Sequence, residues 1–211
     1  MVFSSLIFLC VFLPLTALLY YITGNRRWRN GLLIAASLVF YAWGEPGYVI
    51  LLLVCGLFNY FSGLSIEKTK DRNKKKAKLV LAVSLNILIL VFFKYTGFLL
   101  ENLNRLLGLT VNAPDIYLPV GISFYTFKAI SYVSDIYKGK ITAQKSYWKF
   151  MLYISLFHHL VAGPIIRYPD IADEIDHREE TPEGVRDGVR RFIAGLAKKV
   201  ILSNTAAEIA G

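Results

Sequence analysis

Apolar positions in this chain of 211 residues fall in long runs separated by short polar stretches, a pattern set by bilayer-scale helices rather than by the period of a half-buried helix or strand. The first run, Phe3 to Ile22, has the roughly 20 residues that one helix needs to cross a hydrocarbon layer. It stops at Gly24-Asn25 and meets Arg26, Arg27 and Arg29. The second run, Gly31 to Trp43, is short for a span unless its flanks contribute, and Gly44-Glu45-Pro46-Gly47 marks a turn after it. The third, Tyr48 to about Leu64, gives way to Lys68, Lys70, Arg72, Lys74, Lys75, Lys76 and Lys78, and a fourth occupies Leu79 to Phe93.

Beyond Phe93 the runs weaken. Leu99, Leu100, Leu103, Leu106 and Leu107 keep helical spacing with Glu101, Asn102, Asn104 and Arg105 between them, so Phe98–Leu109 is predicted as an amphipathic helix lying in the membrane interface. Val111 to Asp115, with Asn112 and Pro114, reads as a loop. Leu118 to Tyr137 is the next membrane segment and precedes Lys138, Lys140 and Lys145. Trp148 to Ile166 is apolar but carries Gly163-Pro164, a pair that breaks a helix and survives at membrane depth only where protein or water satisfies the freed backbone. Residues 168–188 are polar and read as a surface loop. Thr181-Pro182-Glu183-Gly184 is a helix start there, with Thr181 as N-cap, for a helix running through Val189, Phe192, Ile193, Leu196 and Val200. The fold class expected is an all-α polytopic membrane bundle with short, re-entrant or interfacial helices, and residues 1–211 form a single membrane domain.

Charge sharpens this picture. Hydrophobic residues make up 55% of the chain and charged ones only 18%, below the roughly 25% of a soluble domain. The formal net charge of +9 sits between the apolar runs, where basic residues orient helices and meet anionic headgroups, so it argues against a nucleic-acid partner and for membrane lipid. The Arg26–Arg29 and Lys68–Lys78 clusters fall on one side of the first three runs, which makes them cytoplasmic and puts the N-terminus outside. Residues 1–22 lack a basic leader and a clear cleavage site and read as an uncleaved helix. Cys10 and Cys55 lie inside apolar runs without Cys or His neighbours and read as small core residues.

Candidate chemistry concentrates in two segments. On a helix, Gly121, Phe124, Tyr125, Lys128, Ser131, Tyr132 and Asp135 share a face, and Lys128 falls near mid-membrane. An intramembrane lysine costs about 2.5–3.5 kcal/mol on insertion scales, so it faces protein or water. It either lines a polar cavity that binds a substrate or thioester carrier, or it snorkels or pairs with Asp135 to stabilise the bundle. His158 and His159, adjacent on a helix, point about 100° apart, so at most one faces a given cavity. His159 is the cavity candidate, beside Gly163 and Pro164; a hydrogen-bonded buried histidine is the alternative. No acidic residue stands at metal-ligand spacing and HExxH is absent, so no metal is expected. Arg167 either anchors a phosphate such as that of coenzyme A or marks the interface. No GxSxG, P-loop or GxGxxG occurs.

Three stretches carry a resemblance: MVFSSLIFLCVFLPL at the start, FFKYTGFLLENLN with LPVGISFYTFKAISYVSDIYKG, and FHHLVAGPIIRY. Together they are similar to the membrane-bound O-acyltransferase family, in its bacterial alginate-acetylating branch, along the whole chain. The resemblance implies a multi-pass protein of the bacterial cytoplasmic (inner) membrane with a buried acyl-transfer pore and no tightly bound cofactor. It implies an acyl group, with acetyl-CoA as donor, passed from the cytoplasm towards an exported polysaccharide with the help of an extracytoplasmic SGNH-hydrolase-like partner. A histidine suits the base such chemistry needs, because its proton affinity is matched to neutral pH. The family's principal histidine belongs to a later Trp-His motif that does not occur before Gly211, so the chain reads as the N-terminal portion of a longer enzyme and as inactive alone. The family's pattern usually has Gln at the place of Lys128 and Pro at that of His158. Tyr125, Lys128, His159, Gly163, Pro164 and Arg167 are the expected pore-lining or substrate-binding residues. Two alternatives stand beside this. One is D-alanyl transfer to teichoic acid from a carrier-protein thioester. The other is a transporter or flippase without chemistry, which shares broken helices and midplane charge but commonly shows two matching halves, and no such repeat is present.

Overall fold

The structure is a computed structural model that describes residues 5–108 and 117–204, together with residue 206. All regular structure among them is helical. The first run forms a π-helical turn, Phe8–Phe12, that continues into α1, Leu13–Ile22. Pro14 explains the wider turn: it has no N–H to give the preceding turn, and π-bulges and prolines are where helices tolerate such a loss. Asn25 caps α2, its side chain accepting from the Arg27 N–H at 2.9 Å. That cap starts α2 at Arg26 and carries it to Gly44, so the arginine flank supplies the length that Gly31–Trp43 lacks. α3 runs from Tyr48 to Lys68, and Asp71 caps α4 through the Lys74 N–H at 2.8 Å.

α4 corrects the reading of residues 79–109. It is one helix of 36 residues, Arg72–Leu107, about 54 Å long at 1.5 Å per residue. Phe98–Leu107 extends its axis and is no separate interfacial helix; a polar face changes what a turn meets, not whether it stays helical. Leu109 and the Val111–Asp115 loop lie outside the described residues. Helices α3 and α4 are long and apolar enough to cross a membrane.

α5 is Ile122–Tyr137, shorter than Leu118–Tyr137 because Gly121 takes positive φ (+78°) and the Ile122 N–H bonds the Pro119 carbonyl at 3.1 Å. It ends in a Schellman motif: Gly139 (φ +71°) donates to Ile136 O at 3.1 Å and Lys140 to Asp135 O at 3.0 Å. α5 is the central element, packed by α3, α4, α6 and α7. Small residues let α3 come close: a Cβ on Gly56 or Gly63 would lie under 3 Å from Met151 of α6 or Tyr132 of α5. Asn59 and Asn86 bind α3 to α4 by reciprocal amide hydrogen bonds of 3.0 and 2.8 Å.

The break in the next segment lies elsewhere than expected. α6 spans only Tyr147–Ser155, and the chain turns extended at Leu156, well before Gly163-Pro164. A 3₁₀ turn, Phe157–His159, follows, and residues 164–167 return without regular structure, extended at Arg167. The Ser37 hydroxyl of α2 accepts the freed Phe157 N–H at 3.1 Å, which satisfies the break inside the protein. Residues 168–188 are not a loop: α7 (Tyr168–His177) and α8 (Pro182–Ala197) occupy most of them. Charged residues on the outer faces of helices gave the polar composition. Thr181 does cap α8, accepting from the Gly184 N–H at 3.1 Å. Cys55 is buried, but Cys10 is exposed and not a core residue: of the π-helical turn that holds it, only Phe8 is buried.

Hydrogen bonds sort the connections into two ends. At one, Tyr48 donates to Tyr117 O at 2.8 Å and the Val120 N–H to Glu45 at 2.9 Å. At the other, the Ala143 N–H reaches Glu67 at 2.9 Å, Arg29 pairs with Glu180 at 2.9 Å, and Lys149 pairs with Asp176 at 2.6 Å. The second end carries the arginine and lysine clusters.

Candidate active site

Residues 147–167 form a hairpin that enters from the basic end as α6, turns at residues 157–163 and returns to the same end. Two contacts hold it against α5. Near the tip, a Cβ on Gly121 would lie 2.5 Å from the Leu160 carbonyl oxygen, so the two backbones touch. At the basic end, Arg167 grips the buried Asp135 carboxylate at 2.6 Å. Midway, the Tyr153 hydroxyl stands 3.3 Å from Lys128 O on α5 and 3.2 Å from Ile166 O on the returning limb of the hairpin.

Between these clamps lies Lys128, with no exposed surface. Its Nζ is hydrogen-bonded to His159 Nδ1 and approaches Ile154 O at 3.4 Å. α6 ends before Leu156, and the 3₁₀ turn that follows places His159 against Lys128 of α5. Where Lys128 is the donor, the His159 proton is on Nε2; that atom is buried without a hydrogen-bond partner among the described residues. The hydroxyl of Tyr125, one turn before Lys128, is in the same condition, as is that of Tyr41. Buried polar groups left open in this way are available to a water or a reacting group.

Of the expected face of α5, Tyr125, Lys128, Tyr132 and Asp135 are buried, Phe124 and Ser131 are half-buried, and Gly121 stands just before the helix; Ile122, Thr126, Ala129, Val133 and Ile136 are buried as well. Lys128 does not pair with Asp135. Asp135 sits seven residues on, about 10 Å along the axis, and belongs to Arg167. Arg167 therefore holds a protein carboxylate, with about half of its side chain exposed. Gly163 and Pro164 are exposed and line nothing around the pair; the turn they make, with Gly163 at φ +114°, is on the surface. Adjacent His158 and His159 do diverge, the second buried and the first exposed.

His158 marks a feature that the sequence did not reveal. It lines a cavity of about 460 Å³ between α1, α2, α6 and α7, whose walls are mainly apolar (Leu13, Leu33, Leu152, Phe157). Towards the basic end the cavity meets Tyr20, Glu174 and Arg178. These belong to a network: Arg178 reaches the Tyr20 hydroxyl and Asn30 Oδ1, both at 2.6 Å, and Tyr20 donates to Glu180. Tyr20 and the Arg29 guanidinium hold the Glu180 carboxyl below its ordinary range. No group of three or more His, Cys, Asp or Glu side chains among the described residues is placed to hold a metal.

Known proteins resemble this chain over all of its length. It is 40% identical to the probable alginate O-acetylase AlgI of Pseudomonas aeruginosa, with 100% of the chain and 41% of that protein aligned. Against the peptidoglycan O-acetyltransferase of Helicobacter pylori it is 29% identical, over 100% of the chain and 46% of that protein. Against the teichoic acid D-alanyltransferase of Lacticaseibacillus rhamnosus it is 28% identical over 74% of the chain and 35% of that protein. The chain thus spans less than half the length of the curated relatives it matches. No family model matches it, and no solved structure matches it significantly.

Proposed function

Because the chain belongs to the membrane-bound O-acyltransferase family, we propose that it forms part of a multi-pass transferase that acetylates an exported polysaccharide. The observation that carries this reading is the fully buried Lys128–His159 pair, held at the middle of the bundle by a broken, re-entrant hairpin. Ionisable groups at such depth mark a path for substrate or protons. The basic end faces the cytoplasm under the positive-inside rule, which sets the 460 Å³ cavity opening towards Arg178 on the side of a cytoplasmic thioester. Acetyl-CoA is the donor in this reading.

The chemistry needed is limited. The thioester carbonyl must meet an acceptor oxygen, a base must take the proton of that oxygen, and the C–S bond must break so that the thiolate leaves and takes up a proton. With Lys128 as the donor to Nδ1, a neutral His159 presents Nε2–H as a donor and no free basic nitrogen. The pair is therefore suited to orient or polarise a carbonyl, and the base comes from elsewhere in the full protein. An extracytoplasmic SGNH-hydrolase-like partner would complete transfer to the polymer.

Deleting the full gene and measuring ester-linked acetyl in the exported polymer tests the reading. Acetyl content should fall to background, and inverted membrane vesicles should incorporate label from acetyl-labelled coenzyme A only when the gene is present. Unchanged acetyl content would sink it. Incorporation of labelled D-alanine instead would favour the second reading, for which the teichoic acid D-alanyltransferase is the precedent.

A further inference from the structure

α8 takes no part in the buried pair or the cavity. It packs substantially only on the helical turn that continues it, and none of its residues is buried. At 100° per residue, Val185, Val189, Phe192, Ile193 and Leu196 fall within an arc of about 100°. Arg186, Arg190 and Arg191 lie across the rest of the helix with Glu183 and Asp187, and Lys198 and Lys199 follow in the next turn. Five basic residues therefore face two acidic ones, and four of the stripe's apolar side chains (Val185, Val189, Phe192, Ile193) are exposed to the extent of 40–59%.

The start of α8 is fixed. Thr181 caps it, and the residues just before are tied to α2 through Arg178–Asn30 and Glu180–Arg29 and to α1 through Arg178–Tyr20. It therefore leaves the bundle at the basic end. We infer that α8 lies flat in the headgroup layer of an anionic leaflet, with its Val185–Leu196 stripe in the acyl boundary and its arginines on lipid phosphates. The occupant of the exposed stripe is then lipid. Charge selects it: an apolar stripe flanked by arginine, with Lys199 at its edge where the stem can reach along apolar surface, complements anionic headgroups over hydrocarbon. This rests on the multi-pass membrane reading above.

The experiment uses the full-length protein with its native cysteines replaced, reconstituted in phosphatidylcholine vesicles with or without phosphatidylglycerol. An environment-sensitive fluorophore is placed at Phe192→Cys, at Arg190→Cys, or at Val54→Cys on the exposed side of α3. Lipids carrying a nitroxide near the headgroup should quench the Phe192 label several-fold more than lipids carrying it at mid-chain, and iodide should quench the Arg190 label. Replacing Arg186 and Arg191 with Gln should lower quenching at Phe192 in the anionic vesicles. A Phe192 label protected from both lipid and iodide overturns the inference in favour of another part of the protein covering the stripe. One quenched by iodide alone overturns it in favour of a helix in water. Lipid quenching at Val54 in either case leaves the membrane reading standing, and its loss would remove that reading too.

Discussion

Replacing Gly121 with Ala should damage this protein more than the same change at any other described glycine of positive φ. Two costs meet there. A side chain in the left-handed region costs roughly 1–2 kcal/mol, and φ at Gly121 is +78°. The new Cβ would also lie 2.5 Å from the Leu160 carbonyl oxygen, a backbone atom that cannot swing aside as a side-chain end can. Pushing the hairpin tip off α5 adds about 1–3 kcal/mol, the range for overpacking a filled site. The sum is about 2–5 kcal/mol.

Two other glycines separate the terms. Gly139 has φ +71° and open space around its Cβ position, so Gly139→Ala feels the strain alone, about 1–2 kcal/mol. Gly97 lies within α4 with open space and ordinary helical φ, so Gly97→Ala should stabilise by roughly 0.8–1 kcal/mol. Thermal midpoints of the full-length variants, followed as folded protein remaining in detergent after heating, should fall in the order Gly97→Ala, parent, Gly139→Ala, Gly121→Ala. A Gly121→Ala midpoint at or above that of Gly139→Ala would refute the close contact, and with it the seating of the hairpin.

Lys128→Met keeps the volume but removes the hydrogen bond to His159, and should lower acyl transfer by about 10²-fold or more at unchanged expression, within the range for losing one hydrogen-bond donor to a reacting carbonyl; full activity would remove Lys128 from the mechanism. Asn59→Leu and Asn86→Leu should show a coupling of about 0.6–2 kcal/mol in a double-mutant cycle on stability, since each leaves the other amide without its cross-helix partner; strict additivity would deny the pair. Glu180 has a depressed folded-state value, so its contribution is complete above its ordinary 4.5 and is lost as pH falls through the lower folded value. Acid should thus loosen residues 178–181 from α1 and α2, seen as faster proteolysis there, and Glu180→Gln should show that proteolysis already at neutral pH.

Much of the helix inventory could be read from composition, because a helix that meets lipid or packed helices must be apolar along its length, and Asn25, Asp71 and Thr181 announce three starts by their side chains. What stayed hidden depends on partners distant in sequence. Nothing near Leu156 marks it as the break; the amide that the break frees is answered by Ser37, 120 residues away. Gly163-Pro164 carries the stronger local signal yet shapes only an exposed turn. Lys128 and Asp135 could be placed on one face, but periodicity alone does not say that one meets His159 and the other Arg167. Asn59 and Asn86 did carry a signal, as polar residues inside apolar runs, and only the pairing of α3 with α4 gave it meaning.

The hairpin, more than the bundle, sets the geometry of the buried pair. α5 is held at Gly121 by Leu160 and at Asp135 by Arg167, 14 residues or about 21 Å apart along the helix. Lys128 lies at the middle of that interval, where the hairpin supplies both of its partners, Ile154 O and His159 Nδ1. Neither partner comes from α2, α3 or α4. A shift of the hairpin along α5 thus changes the Lys128–His159 contact directly, while the α3–α4 contact through Asn59 and Asn86 is untouched. Substitutions at either clamp should for that reason alter the Lys128–His159 contact at temperatures where the bundle is still folded, whereas substitutions at Asn59 or Asn86 should change stability with little effect on that contact.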